Sequence, residues 1–239
     1  MSSSLDVPAV EVRPVATAHG EARLHRNPAL GRPLATLLLG HGAGNGVEMH
    51  DLAGLADALP AQDVGVVRLE QPWRVAGRKV ATAPPTLDVA LEAAVRALPA
   101  DDLAAPLVLG GRSAGARSAA RCAGRLGAAG AVLIAFPLHP PGRPEKSRRA
   151  ELDALVDAGV PTLVVQGERD AFGGPDELAT AYGGELPAGV DLVVVPDADH
   201  GLKVRRSAGI TVEDVRALVV EAVLEWIVRE VGGPGATVE

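Results

Sequence analysis

Two hydrophobic patterns alternate along this chain. Short, mainly apolar runs occupy residues 34–39, 64–69, 106–110, 131–136, 161–166 and 191–195. Runs of this length, bounded by turn formers, read as buried strands. Between them lie stretches with helical spacing. Residues 47–59 place Val47, Leu52, Leu55, Ala56 and Leu59 on one side, and 86–98 do the same with Leu87, Leu91, Ala94, Val95 and Leu98. An Ala-rich stretch at 116–127 and a shorter one at 151–157 follow. The clearest helix is 211–230. Thr211 can cap it, Asp214 sits three residues on, and Val212, Val215, Leu218, Val219, Ala222, Val223 and Trp226 form its apolar face.

Continuous apolar strands alternating with amphipathic helices predict an α/β fold: a mostly parallel sheet with helices on both faces. The start of the chain differs. Glu11-Val12-Arg13 and Glu21-Ala22-Arg23-Leu24 alternate polar with apolar around His19-Gly20, which predicts an antiparallel hairpin at a sheet edge. The 239 residues read as one domain with a core over about 8–231, and residues 232–239 read as a disordered tail. The Pro- and Gly-rich stretch 137–144 reads as a loop.

Composition narrows the function. Hydrophobic residues make up 47% of the chain, but aromatics only 2%, so the core must be built of Ala, Val and Leu. Few stacking aromatics and a net charge of −7 argue against nucleic-acid partners. No apolar run is long enough to span a bilayer, and the N-terminus lacks the basic and apolar regions of a signal peptide. The single cysteine, Cys122, cannot form an internal disulfide and reads as a packed thiol. A cytoplasmic protein without membrane contact is expected.

The chemistry centres on Gly111-Arg112-Ser113-Ala114-Gly115, which joins a strand to a helix. That is the context of a G-x-S-x-G nucleophile elbow. Its turn is tight enough that side chains two residues either side of the serine would collide with neighbouring backbone. With 28 glycines in the chain, the pattern arises by chance in about one such sequence in ten. The competing reading is a glycine-rich turn with a helix-capping serine.

Later loops decide between the two. Sites in open parallel sheets form beyond the carboxyl ends of the strands. There the sequence places Gly40-His41-Gly42-Ala43-Gly44-Asn45, Gly167-Glu168-Arg169-Asp170 and Asp197-Ala198-Asp199-His200. The order Ser113, Asp170, His200 is that of an α/β-hydrolase triad. Serine needs a base to remove its proton, and the imidazole needs a carboxylate to fix its tautomer. The oxyanion needs preorganised donors, here the backbone N–H groups of Ala43 and Ala114. Asp170 has a competing reading as a turn residue. Asp197 and Asp199 are rival acids, with Asp199 read as a turn former. His41, Asn45, Trp73, Arg112 and His139 are candidate substrate contacts, Arg112 through attraction of an anionic group. His41 is not read as a base, and His19, His25 and His50 read as surface residues. No metal-ligand spacing and no P-loop appears, so no cofactor and no metal are expected.

Over Leu34 to about Val231 the sequence resembles the α/β-hydrolase superfamily. More narrowly, it is similar to a compact dienelactone-hydrolase-like branch. That branch includes the non-specific-lethal chromatin-complex subunit 3 and its testis-expressed and bacterial relatives. The segments that carry the likeness are His41-Gly42-Ala43-Gly44, Ala76-Gly77-Arg78-Lys79, Gly110-Gly111-Arg112-Ser113, Phe136-Pro137-Leu138-His139-Pro140-Pro141-Gly142, Gly167-Glu168-Arg169-Asp170 and Asp199-His200. The resemblance implies Ser113 as nucleophile, Asp170 as acid, His200 as base, and Ala43 and Ala114 as backbone donors. Branch members often carry Met-Gly-Gly after the serine, where this chain has Ala114-Gly115-Ala116. Dienelactone hydrolases proper use a cysteine nucleophile, so their activity does not carry over.

The region where such folds insert a cap is short here, so an open site for a small soluble acyl substrate is expected. The leading reading is a serine hydrolase acting on a carboxylic ester or thioester. The alternatives are a short-peptide serine peptidase and a non-catalytic interaction module of the same fold. Oligomeric state is left open.

Overall fold

The computed structural model describes residues 10–232. The expected tail from 233 onward and the first two residues of the expected core lie outside them. Within the described residues eight strands form one sheet: β1 (Glu11–Thr17), β2 (Gly20–Asn27), β3 (Ala35–Gly40), β4 (Val64–Glu70), β5 (Leu107–Arg112), β6 (Gly130–Ile134), β7 (Thr162–Gly167) and β8 (Val190–Val195). Their order is β1-β2-β4-β3-β5-β6-β7-β8. The first two pairings, β1 with β2 and β2 with β4, are antiparallel, and every other pairing is parallel. The edge hairpin and the parallel sheet thus match the hydrophobic patterns.

Among the described residues, eight helices surround the sheet: α1 (His50–Ala58), α2 (Pro72–Val75), α3 (Pro84–Arg96), α4 (Ala100–Leu103), α5 (Ala114–Cys122), α6 (Arg149–Asp157), α7 (Pro175–Ala181) and α8 (Val212–Glu230). Strand side chains alternate between two cores. Leu37, Leu39, Val66, Val108, Val132 and Val165 pack with Leu52 and Leu55 of α1 and Val219, Val223 and Trp226 of α8. Leu38, Leu109, Leu133 and Val164 pack on the other face with α3, α5, α6 and α7. Truncating one of the buried leucines to alanine typically costs about 2–5 kcal/mol, a large share of a domain's net stability.

Three differences from the patterns have local causes. Val212 is 51% exposed rather than on the buried face of α8, because it occupies the first turn beside the cap. The Thr211–Asp214 capping box itself is present. The helix after Ser113 starts at once, at Ala114, and ends at Cys122 rather than running from 116 to 127. Helices α2, α4 and α7 are too short to show a period.

Between β6 and β7 the chain forms a loop, one 3-10 turn at Pro144–Lys146, and α6. No cap domain is inserted there. On the described residues, no helix is long and apolar enough to cross a membrane.

Candidate active site

Ser113 follows β5 directly and adopts φ 52°, ψ −109°. A non-glycine residue in this region costs on the order of 1–3 kcal/mol and persists only where the surroundings enforce it. They do. The Ser113 N–H donates to the Ile134 carbonyl of β6 at 2.9 Å. Gly111 and Gly115 let the chain cross Gly40, the last residue of β3. A Cβ on Gly115 would sit 2.1 Å from the Gly40 carbonyl oxygen, and one on Gly111 would sit 2.5 Å from it. The glycines of the motif are therefore fixed by contact with a third strand, which the local sequence does not reveal.

Loops after β7 and β8 meet over this turn. A Cβ on Gly167 would lie 2.6 Å from the Ala198 carbonyl, and the Arg169 N–H donates to that carbonyl at 2.9 Å. This crossing brings Asp170 against His200. His200 Nε2 lies 2.9 Å from Ser113 Oγ, and His200 Nδ1 lies 2.8 Å from Asp170 Oδ2. Asp170 is 3% exposed, and its carboxylate also accepts from Gln166 Nε2 at 2.9 Å and from the Phe172 N–H at 2.8 Å. An ionised carboxylate only accepts, so Nδ1 of a neutral His200 carries the proton. Nε2 then offers its lone pair to the Ser113 hydroxyl. That arrangement can take a proton from serine and balance the charge that appears on the ring.

The rival acids are occupied elsewhere. Asp199 Oδ1 accepts from the backbone of Gly201 and Lys203, so it forms the turn. Asp197 pairs with Arg169 at 2.8 Å.

The loop after β3 lies against the same turn. A Cβ on Gly42 would come 3.6 Å from Ser113 Cβ. Ala43, Gly44 and Asn45 are exposed at its tip. Ala114 opens α5, so its N–H has no intrahelical acceptor. Among the described residues, neither the Ala43 nor the Ala114 N–H has a protein acceptor.

Three of the candidate substrate contacts are buried and bonded within the protein. His41 is buried. Its Nδ1–H donates to the Gly42 carbonyl at 2.8 Å and its Nε2 accepts from the Gln71 N–H at 3.1 Å. Burial also holds its pKa below the ordinary value, which favours a neutral ring bonded on both sides. Arg112 is buried, pairs with Asp51 and donates to the His200 carbonyl, so its charge is matched within the protein. His139 is buried with both ring nitrogens bonded, to the Pro140 carbonyl at 2.9 Å and to Glu177 at 2.8 Å. Trp73 packs edge-on against His41 and lines a cavity of about 310 Å³ with His19, Arg78 and Thr86, beside the β1–β2 hairpin. His25, expected at the surface, is half-buried and lies 3.1 Å from Glu70.

Residues that sequence reasoning missed are Gln166, Phe172 and Asp51. Phe172 stacks on the His200 ring, with centroids 4.0 Å apart. Gln166 was visible as the lone polar side chain closing an apolar strand. Its Nε2 also donates to the carbonyls of Phe136 and Gly173. The other two carried no signal. Cys122 is no rival nucleophile, because burial pushes its thiol up to about 11. Among the described residues, no cluster of side chains suits a metal ion.

A family model described as an alpha/beta hydrolase domain matches residues 33–228. Among solved structures, a serine hydrolase homologue from Coxiella burnetii shares 20% identity, with 90% of this chain and 98% of that one covered, at a TM-score of 0.70. A dienelactone hydrolase from Anabaena variabilis shares 16% identity over 94% of this chain and 99% of its own, at 0.69. A serine hydrolase without a lid from Xanthomonas campestris shares 20% over 91% and 95%, at 0.64. No curated protein matches. With a family match over most of its length, the chain belongs to the alpha/beta hydrolase family.

Proposed function

We propose that this protein is a serine hydrolase that cleaves a carboxylic ester or thioester of a small soluble substrate through an acyl-serine intermediate. One observation carries the reading: the unbroken path from Ser113 Oγ to His200 Nε2 at 2.9 Å and from His200 Nδ1 to Asp170 Oδ2 at 2.8 Å. In the first half-reaction Ser113 Oγ attacks the acyl carbon as its proton passes to His200 Nε2. The carbonyl oxygen becomes an oxyanion, held by the N–H groups of Ala43 and Ala114. Each such donor is typically worth a hundredfold or more in rate. Collapse expels the alcohol or thiol, which takes the proton from His200. Water repeats the sequence on the acyl-serine, with His200 again as base, and releases the acid.

The strained turn at Ser113 supports this assignment over a capping serine, since a cap needs no such backbone. The short chain between β6 and β7 supports an open site for small substrates. The single buried thiol fits a reducing, cytoplasmic setting. The finer kinship, to the branch that includes the chromatin-complex subunit, rests on the 136–142 segment. An interaction role without catalysis would follow if the site proved inert.

A fluorophosphonate probe tests the assignment. The protein is expected to take up one probe, and Ser113→Ala to take up none. Labelling that survives the substitution overturns the reading.

A further inference from the structure

We propose that Arg112 is a positioning residue: anchored by buried Asp51, its guanidinium holds the His200 backbone so that the imidazole reaches Ser113. Arg112 and Asp51 are both buried, with side chains 6% and 0% exposed. Arg112 Nε approaches Asp51 Oδ2 to 2.8 Å off the N–H axis, so the two form a charge contact rather than an aligned hydrogen bond. The other carboxylate oxygen, Oδ1, accepts from the Leu52 N–H at 2.9 Å. Arg112 Nη2 then donates to the His200 carbonyl at 2.7 Å. Nη1 lies beside Gly42, where an added Cβ would approach it to 3.4 Å.

One side chain thus touches three of the segments that make up the site. It belongs to the residue before Ser113, bonds the residue that carries the base, and packs on the loop before Ala43. His200 lies beyond the end of β8 in a loop of turns. Its backbone is tied by Arg112, and its ring by Asp170 and Phe172. A buried ion pair is poor value as pure stabilisation, because desolvating both charges offsets most of their attraction. Arg112 and Asp51 make sense as a tether instead. The planar guanidinium meets Asp51 through Nε and the His200 carbonyl through Nη2, two separate points that the single nitrogen of a lysine ammonium does not span.

The geometric part of this inference stands alone, while its kinetic consequence rests on Ser113 being the nucleophile. Arg112→Lys keeps a positive charge for Asp51 and gives up the bond to the His200 carbonyl. The expected result is a maximal labelling rate by the fluorophosphonate about tenfold lower, at unchanged probe affinity and nearly unchanged melting temperature. A crystal structure of the variant is expected to show the His200 ring displaced from Ser113. Wild-type labelling kinetics with the ring still in contact overturn the proposal. Should Arg112→Lys fail to fold, Asp51→Asn, which preserves side-chain size and frees the guanidinium, decides by the same two measurements. If the wild-type protein takes no probe, the hydrolase reading fails, and the crystal structure alone decides whether Arg112 positions the ring.

Discussion

The His200 loop and the His139 loop each hold a histidine to a carboxylate at 2.8 Å, and only one of them can act as a base. The difference lies in the second ring nitrogen. His200 Nε2 faces a hydroxyl, which can give a proton. His139 Nδ1 faces the Pro140 carbonyl, which can only accept one. Acceptors on both sides favour a proton on each nitrogen, and so favour the charged ring. Burial opposes its charge, but the Pro140 carbonyl and the Glu177 carboxylate outweigh burial and raise its pKa above the ordinary value. His41 shows a third solution, one donor bond and one acceptor bond, which fixes a neutral ring. A histidine's role is thus read from the partner of each nitrogen, more than from burial or from a nearby acid.

Removing the two carboxylates in turn breaks the comparison most directly. Asp170→Asn is expected to lower kcat on a simple ester by about 10³–10⁴-fold, as the loss of an orienting carboxylate does in serine hydrolases. Glu177→Gln is expected to leave kcat within about twofold, since the 137–148 loop takes no part in proton transfer. Equal losses in steady-state assays would erase the distinction. A second change shifts the hydroxyl itself. Gly115→Ala drives a Cβ into the Gly40 carbonyl, and thermal denaturation should register a loss of about 1–3 kcal/mol together with reduced activity.

Phe172→Ala sharpens the picture by freeing the His200 ring while leaving its bonds. The stacked contact is worth about 1 kcal/mol, so kcat should fall roughly fivefold without a change in fold, as circular dichroism would check. The smallest effect belongs to the His139–Glu177 pair. Its raised folded-state pKa means that the pair's stabilisation is complete below the unfolded value of about 6.5 and fades as pH rises through the folded one. Glu177 is half exposed, so screening limits the gain to under about 1 kcal/mol. Melting curves of Glu177→Gln should therefore fall below wild type at pH 5, with a gap that narrows as pH rises.

The sequence by itself determined the alternation of strand and helix, the edge hairpin, and the chain order of Ser113, Asp170 and His200. These are legible because a two-residue or 3.6-residue period, a glycine-flanked serine and a strand end are all local features. It did not reveal the partners of Arg112, His41 and His139, which local context offered as candidate substrate contacts. Only the tertiary structure supplied Asp51 from α1, the Gln71 amide from beyond β4, and Glu177 from α7 as their partners. What a polar side chain does depends on which distant group meets each of its atoms, and that pairing exists only once the strands are in order.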